Sequence, residues 1–398
     1  MTAGAERLTE QRLTEQRLTE QQGQPPGTVL AMPRELGADV AEHLSLVDGL
    51  LHEVLSDLGH LWTTQLEPPG LDPAAGVDIL ADADLPHLLS SLSGSGGKRI
   101  RPVMSYLGWT AAHGRARDIG HAAVVQVGAA LELLHLFALI HDDVMDESPW
   151  RRGLPTAHAE ARLRHQAAGG RGDAQRFGES IAILLGDLAH AEADHLVGEL
   201  PEPMRRIWRV LVVELVCGQR RDLTGSAARR HDLAHARQVA RSKSGAYTVE
   251  RPLELGAAAA GAPDVVAAGL AAYGRHLGEA FALRDDLLGV WGDPAKTGKP
   301  IGDDLSAGKP TVLTALAYER LSGDDLELLR RVAGGAGEPA EVTDLLAVLE
   351  AAGVRLEVEA LISSHVQAAL DALDQRVLDP AGLAQLRLVA HQIAWRDR

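Results

Sequence analysis

Residues 131–148 read LELLHLFALIHDDVMDES, an apolar run that ends in the acidic cluster Asp142-Asp143-x-x-Asp146. On a helix, Asp142 and Asp146 share a face because they are four residues apart. They follow a run that is apolar on all sides, which is typical of a buried helix. Carboxylates at the end of a buried helix need cations, and carboxylates with open water positions suit Mg²⁺. A second apolar run ends in Asp285-Asp286, which predicts a matching acidic cluster at the end of a second buried helix.

The rest of the chain repeats this helical character. Apolar residues make up 45 % of the sequence and aromatic residues only 3 %, a balance that favours helices over sheets. Apolar residues recur at spacings of three and four in long runs, and no stretch alternates with period two. We expect one all-α domain over residues 35–398. The helical runs are 40–58, 121–140, 181–196, 206–223, 233–255, 265–290, 311–321 and 342–372.

Residues 1–34 form a separate, low-complexity tail. The motif Arg-Leu-Thr-Glu-Gln occurs three times from Arg7, so leucines recur every five residues and build no single apolar helix face. We expect the tail to be disordered or a lone charged helix. A docking peptide for a partner or a compartment is the alternative.

Charge and cysteine content restrict the class of protein. The net charge of −16 argues against a nucleic-acid-binding surface. The single cysteine, Cys217, can form no internal disulfide and fits a reducing compartment. No apolar run approaches the ~18 residues that span a bilayer. These features predict a soluble, cytoplasmic protein without a transmembrane segment.

Basic motifs surround the two acidic clusters. GGKRIRP at 96–102 opens a helix, where the glycines allow close backbone approach and the N-terminus favours an anion. Lys98 and Arg101 are three residues apart and can reach the same phosphate. His135 lies seven residues before Asp142 and is either a core histidine or a group that reaches a ligand. The other cations are Arg151, Arg152, Lys243, Lys299 and Lys309. Cations around two acidic clusters predict a site for metal ions and polyphosphate.

The ordered motifs resemble those of the trans-isoprenyl diphosphate synthases, the polyprenyl synthetase family. The similarity runs from about residue 85 to 315, and more loosely to the C-terminus. The motifs are GGKRIRP at 96–102, LIHDDVMDES at 139–148, RRGLPTAH at 151–158, GDL at 186–188, GQRRDL at 218–223, KSGAYTVERPLELG at 243–256 and LRDDLLGVWGDPAKTGKPIGDDLSAGKPT at 283–311.

The resemblance implies an antiparallel helix bundle around a deep central cavity, usually in a homodimer. It implies that three Mg²⁺ ions bind Asp142, Asp146 and Asp285 and bridge to an allylic diphosphate. That diphosphate would contact Arg151, Lys243 and Lys299, with Lys309 nearby. The diphosphate of isopentenyl diphosphate would bind Lys98, Arg101, His135 and Arg152. Gln219 and Asp222 would support the first acidic cluster.

The implied reaction is ionisation of the allylic diphosphate and attack by the isopentenyl double bond. Phe137, five residues before Asp142, is expected to form the floor of the cavity, with Ala138 beside it. A single aromatic residue there resembles geranylgeranyl diphosphate synthases, and farnesyl diphosphate is the next expected product.

Two positions depart from the family pattern. Ala282 stands where the family usually has glutamine, and Gly289 stands where the second motif has its third aspartate, for which Asp293 could substitute. Ser244 keeps the hydroxyl of the usual threonine. The departures leave open a catalytically weak subunit that modulates another synthase. A class I terpene cyclase is the remaining alternative, but Lys98, Arg101 and the second acidic pair argue against it.

Overall fold

A computed structural model describes residues 36–66, 79–80, 84–94, 96–114, 119–151, 154–294 and 301–396. The tail expected at 1–34 lies outside the described residues, and so do Arg152 and Lys299. The expected boundary between tail and domain therefore stays a prediction.

The described residues are almost entirely helical. The α-helices are α1 (Ala38–Leu61), α2 (Leu85–Gly94), α3 (Ile100–Ala111), α4 (Ile119–Met145), α5 (Ala157–Ala167), α6 (Ala174–Gly198), α7 (Glu202–Ala227), α8 (Leu233–Val239), α9 (Arg251–Ala259), α10 (Asp264–Trp291), α11 (Asp303–Ser306), α12 (Val312–Arg320), α13 (Gly323–Arg331), α14 (Pro339–Ala351), α15 (Val354–Asp371) and α16 (Pro380–Ala394). Three π-helical segments are π1 (Trp62–Leu66), π2 (Ala240–Glu250) and π3 (Val332–Ala336). The strands β1 (Trp150–Arg151) and β2 (Leu154–Pro155) pair as a small antiparallel hairpin. The all-α prediction is confirmed.

Two long helices organise the core. Helix α4 packs against α6, α3 and α1, and helix α10 packs against π2, α15 and α9. Segment π2 also packs against α7 and α3, so it links the surroundings of the two helices. Glycines permit close contact between helical segments. Gly245 of π2, for example, meets the backbone of Gly278 in α10. This arrangement brings α4, α7, π2 and α10 around a shared polar region.

Helix α4 is more apolar than the sequence analysis recognised. Residues Gly120–Met145 are long and apolar enough, by length and composition, to cross a membrane, with a mean hydropathy of 2.0. The statement that no apolar run approaches membrane-spanning length was therefore wrong for this helix. Its apolar side chains pack against other helices of the bundle, and Val124, Val127 and Leu131 are fully buried. The core of the bundle accounts for this hydropathy.

Two predicted helical runs are interrupted. The run 233–255 consists of α8, π2 and α9, joined end to end. The run 342–372 divides between α14 and α15 at Gly353, which has a φ of 75°. Glycine tolerates this left-handed conformation and ends a helix at low cost. Apolar spacing continued through the break, so periodicity alone did not reveal it.

The two acidic clusters lie at different places on their helices. Helix α4 ends at Met145, so Asp142 and Asp146 are at its C-terminal end, as predicted. The prediction that the second pair also ends its helix was wrong, because α10 continues through Asp285 and Asp286 to Trp291. The second pair therefore presents its two carboxylates to different sides of a continuing helix.

Candidate active site

Asp142 is held by groups from two other elements. Lys243 Nζ of π2 donates to Asp142 Oδ1 at 3.0 Å, and Gln219 Nε2 of α7 donates to the same oxygen at 2.9 Å. Burial disfavours the charged carboxylate, but the nearby ammonium of Lys243 lowers the pKa of Asp142 below its ordinary value. Asp142 is therefore ionised at neutral pH.

Lys243 lies between two carboxylates. Its Nζ also donates to Asp222 Oδ2 of α7 at 2.5 Å. Burial works against the ammonium charge, but Asp142 and Asp222 together raise the pKa of Lys243. Segment π2 thus carries a charged lysine between α4 and α7. The sequence analysis expected both Gln219 and Asp222 beside the first cluster, and the structure places them there.

Lys309 makes the equivalent contact with the other end of the first cluster. Its Nζ donates to Asp146 Oδ2 at 2.9 Å and lies 3.8 Å from Asp304 Oδ1. Despite burial, Asp304 and Asp146 raise the pKa of Lys309. Lys309 follows α11, so it brings the loop after α10 to the end of α4. Two lysines distant in sequence therefore hold Asp142 and Asp146.

Arg151 contacts the acidic cluster through its middle residue. Its guanidinium donates to both carboxylate oxygens of Asp143, with Nη2 at 2.6 Å from Oδ1 and Nε at 2.9 Å from Oδ2. Asp143 is 5 % exposed, so this bidentate pair ties the β1 hairpin to the end of α4. The family resemblance implies that Arg151 contacts an allylic diphosphate, but in this structure its guanidinium is bound to Asp143.

The second acidic pair is divided between two environments. Asp286 accepts a hydrogen bond from the backbone N–H of Val312 at 3.2 Å. Burial, followed by the charges of Asp304 and Asp285, raises the pKa of Asp286 well above its ordinary value. Asp285 is half exposed and pairs with Arg396, near the C-terminus. The structure thus places Asp286, rather than Asp285, beside Asp304.

A second polar group lies on α3, π2 and α4, and it consists of Arg101, Tyr247, Thr248 and His135. Arg101 of α3 is 8 % exposed and donates from Nη2 to Thr248 Oγ1 of π2 at 3.0 Å. Its guanidinium carbon lies 4.0 Å from the centre of the Tyr247 ring. Tyr247 Oη lies 2.6 Å from His135 Nδ1 of α4. Sequence reasoning named Arg101 and His135 but missed Tyr247, whose position four residues after Lys243 was the available signal.

The glycine-rich motif before α3 separates the roles of its basic residues. Arg99 has a φ of 49° and precedes the first residue of α3. Its guanidinium donates to Glu132 Oε2 at 2.5 Å and pairs with Asp48 Oδ1 at 3.0 Å. These two carboxylates hold Arg99 within the protein. Lys98 lies just before it and is partly buried, whereas Arg101 is buried inside the helix.

Phe137 lies in an aromatic layer on α4. Its ring stacks on His190 of α6 with centroids 4.7 Å apart, and it meets the ring of His141 edge-on at 4.7 Å. Phe137 and Ala138 are both partly buried. The layer connects α4 to α6, and Phe137 lies just over one turn before Asp142, where a cavity floor was predicted.

The carboxylates fit magnesium by their chemistry. Asp142, Asp146, Asp286 and Asp304 offer only oxygen, the donor that Mg²⁺ prefers. Burial, and then the negative charges of Asp304 and Asp285, raise the pKa of Asp286, so a bound cation would favour its ionised form. Among the described residues, no three His, Cys, Asp or Glu side chains form a ready-made metal cage. Mg²⁺ is usually held by one or two carboxylates with water and substrate phosphates, so the donor set fits.

Comparison with known proteins identifies the family. The polyprenyl synthetase family model matches residues 83–351. The chain belongs to the polyprenyl synthetase family. Geranylgeranyl diphosphate synthase of Mycobacterium tuberculosis is 33 % identical over 310 residues, which cover 76 % of this chain and 82 % of that protein. Geranylfarnesyl diphosphate synthase of Aeropyrum pernix is 34 % identical over 256 residues, 61 % of this chain and 71 % of that protein.

A solved structure shares the fold over most of this chain. The geranylgeranyl pyrophosphate synthase from Corynebacterium glutamicum, complexed with isoprenyl diphosphate and magnesium, superposes with a TM-score of 0.79. The two sequences are 34 % identical, and the match covers 89 % of this chain and 99 % of that one. The predictions of the polyprenyl synthetase family, the isoprenoid synthase fold and a prenyltransferase enzyme class are confirmed.

Proposed function

We propose that this polyprenyl synthetase is a Mg²⁺-dependent enzyme that condenses isopentenyl diphosphate with an allylic diphosphate, and that its product is geranylgeranyl diphosphate. The observation that carries the proposal is the pairing of Asp142 with Lys243 and of Asp146 with Lys309. When a diphosphate and its metal ions bind, the negative phosphate can replace the aspartate beside each lysine. The positive metal ions can replace the lysine beside each aspartate. The resemblance supplies the number of ions, which we take to be three.

The residues divide into those that hold metal and those that hold phosphate. We assign metal to Asp142 and Asp146, and to Asp285 once it leaves Arg396. Lys243 and Lys309 then bind the allylic diphosphate, together with Arg151 and Lys299. Bound Mg²⁺ stabilises negative charge on the leaving diphosphate. The lysines add fixed positive charge where the same negative charge develops, which lowers the barrier to ionisation.

The second polar group is assigned to isopentenyl diphosphate. Arg101 and His135 lie together beneath Tyr247, and Lys98 and Arg152 complete the set that the resemblance implies. Arg101 Nε is buried without a hydrogen-bond partner among the described residues, so it has donor capacity for a phosphate oxygen. Holding both substrates in one cavity brings the double bond to the ionising carbon.

Product length is assigned to the Phe137 layer. The growing chain extends along α4, and the ring of Phe137, backed by His190, blocks it. Ala138 leaves space beside the ring. The relatives include synthases named for geranylgeranyl, geranylfarnesyl, farnesyl and nonaprenyl products, so family membership alone leaves the length open.

We further propose a cytoplasmic homodimer. Helices α6 and α7 expose apolar side chains, of which Val213 and Val216 are each 54 % and Leu184 is 53 % exposed. Val213 and Val216 are three residues apart and share a face of α7, and exposed apolar residues grouped in this way are typical of a contact surface between proteins. A Val213→Asp/Val216→Asp variant should run as a monomer in size-exclusion chromatography with light scattering. An unchanged mass would exclude this surface. Docking of the tail 1–34 to a partner or a compartment stays the alternative prediction, and a chain without residues 1–34 should keep its turnover.

The decisive experiment is a primer series. Purified enzyme is incubated with Mg²⁺, labelled isopentenyl diphosphate and dimethylallyl, geranyl or farnesyl diphosphate, and the products are sized after dephosphorylation. We expect geranylgeranyl diphosphate as the largest main product and no product without Mg²⁺. Asp142→Asn/Asp146→Asn is the inactive control. Absence of elongation with every primer would refute the proposal and favour a modulatory subunit, whereas farnesyl diphosphate as end product would refute only the length.

A further inference from the structure

Two of the residues assigned to isopentenyl diphosphate, Arg101 and His135, lie inside the bundle. Tyr247 contacts both of them. Its hydroxyl lies 2.6 Å from His135 Nδ1, and its ring lies 4.0 Å from the Arg101 guanidinium carbon. The side chain is 5 % exposed, so the contacts form in a nearly dry environment. Polar contacts are stronger there than at the surface. One buried side chain therefore touches a histidine of α4 and an arginine of α3.

The acid–base properties of the two groups favour one direction for the hydrogen bond between Tyr247 and His135. Burial raises the pKa of Tyr247 above its ordinary value, so the phenol keeps its proton. Imidazole nitrogen is a better proton acceptor than a phenol oxygen, so Tyr247 donates and His135 Nδ1 accepts. In a neutral imidazole the ring proton then lies on Nε2. His135 is thereby set as a donor from Nε2, which is the form that binds an anion oxygen.

The contact with Arg101 orients a second donor. The Tyr247 ring supports the guanidinium plane by a cation–π contact. The neighbouring residue, Thr248, accepts from Arg101 Nη2 at 3.0 Å. Two consecutive residues of π2 therefore fix the rotamer of Arg101. The same segment carries Lys243, which contacts the first acidic cluster.

We propose that Tyr247 is a positioning residue for isopentenyl diphosphate: it fixes the tautomer of His135 and the plane of Arg101 before the substrate binds. The inference rests on the proposed function, because it needs isopentenyl diphosphate as the occupant of this group. Tyr247 itself does not react. We expect its effect to be confined to the affinity for isopentenyl diphosphate, because the allylic diphosphate is assigned to Lys243 and Lys309 instead.

The test is Tyr247→Phe in the full chain. The phenylalanine ring keeps the contact under Arg101 and loses only the hydroxyl that donates to His135. We expect the KM for isopentenyl diphosphate to rise about tenfold, because the loss of one hydrogen bond weakens binding by about this factor. The KM for the allylic primer should change by less than about twofold. Calorimetric titration with isopentenyl diphosphate alone should show the same loss.

Tyr273→Phe is the matched control. Tyr273 of α10 is fully buried, and its hydroxyl donates to the backbone oxygen of Leu386 at 2.7 Å, away from the site. This variant should lower the melting temperature and leave the ratio of the two KM values unchanged. A general loss of core packing would affect both variants alike.

A double-mutant cycle identifies the route of the effect. If Tyr247 acts through His135, the Tyr247→Phe change has no further effect on the KM for isopentenyl diphosphate in a His135→Gln background. An additive effect, or an unchanged KM in the single variant, overturns the inference. If the variant is too unstable to assay, ¹⁵N NMR of wild-type histidines, with His135→Gln to assign the signal, decides: a proton on Nδ1 of His135 overturns it. A wild-type enzyme that makes no product refutes the proposed function instead.

Discussion

Gly289 lies so close to Asp304 that a Cβ atom at residue 289 would overlap the Asp304 carboxylate. Gly289 is the position at which the second acidic motif departs from the family pattern. The sequence analysis offered Asp293 as the substitute carboxylate, but Asp293 is exposed beyond the end of α10. Asp304, held 3.8 Å from Lys309, occupies the space beside Gly289. We infer that the glycine makes room for a carboxylate from α11.

Adding a side chain at residue 289 should therefore displace Asp304. We expect Gly289→Ala to lower the free energy of unfolding by about 1–3 kcal/mol through overpacking, and to reduce turnover. Urea unfolding and a steady-state assay measure the two effects. Gly49→Ala is the control, because Gly49 lies within α1 with no atom within 4 Å of its missing Cβ. It should stabilise the protein by about 0.5–1 kcal/mol. Equal effects of the two variants would contradict the link to Asp304.

Removing Arg396 should ease metal binding. Its guanidinium pairs with Asp285 and covers the ring of Phe281 at 4.1 Å, so a metal ion at Asp285 must displace it. The Asp285 side chain is 50 % exposed and the Arg396 side chain 6 %, so we take the pair to contribute about 1 kcal/mol, the upper end for exposed pairs. We expect Arg396→Gln to lower the Mg²⁺ concentration for half-maximal activity by up to about fivefold.

Arg376→Gln is the control for loss of an arginine, because Arg376 pairs with Asp374 between α15 and α16 at 2.7 Å. It should leave the Mg²⁺ dependence unchanged. If Arg396→Gln also leaves it unchanged, the second metal position depends on Asp286 and Asp304 rather than on Asp285.

Shortening Phe137 should lengthen the product. We expect Phe137→Ala to extend the main product by at least one isoprene unit, because the ring no longer lies between α4 and His190. Chromatography of dephosphorylated products gives the length. Phe177→Ala removes a ring of the same size that packs on His165 at 4.8 Å near the start of α6. That variant should change stability only. An unaltered product from Phe137→Ala would exclude this residue as the floor.

His43 should make the fold sensitive to acid. Burial lowers the pKa of His43 to about 3, so the folded state stays unprotonated while the unfolded state binds a proton below its ordinary pKa. The stabilisation that depends on neutral His43 is therefore fully present above pH ~6.5 and is lost as the pH falls toward 3. His43 stacks on Tyr106 at 4.6 Å, and the ring of His121 lies 6.2 Å away.

Replacing His43 by phenylalanine keeps a ring in this stack and removes the titration. Between pH 7 and pH 5, wild type should lose about 2 kcal/mol more unfolding free energy than His43→Phe. Urea denaturation at the two pH values measures the difference. Parallel losses in both proteins would show that another group causes the acid sensitivity.

The sequence by itself determined the helical class, the family and the position of the first acidic cluster, because these depend on local order. Spacing placed Asp142 and Asp146 on one face, and the apolar run before them required a buried helix. The motif series from GGKRIRP onward identified the polyprenyl synthetase family. Local patterns failed where the backbone geometry changes without a change in hydropathy, as in π2 and at Gly353.

Only the tertiary structure decided which charges meet. Lys243 and Lys309 reach the first cluster from π2 and from the segment after α11, more than a hundred residues away. Arg151 of β1 pairs with Asp143 and Arg396 pairs with Asp285, because consecutive aspartates point to different sides of their helix and so meet different partners. The role of Tyr247 depends on contacts with residues from α3 and α4, which its position four residues after Lys243 does not reveal. Burial and long-range contacts are properties of the packed bundle, so the local spacing of residues does not predict them.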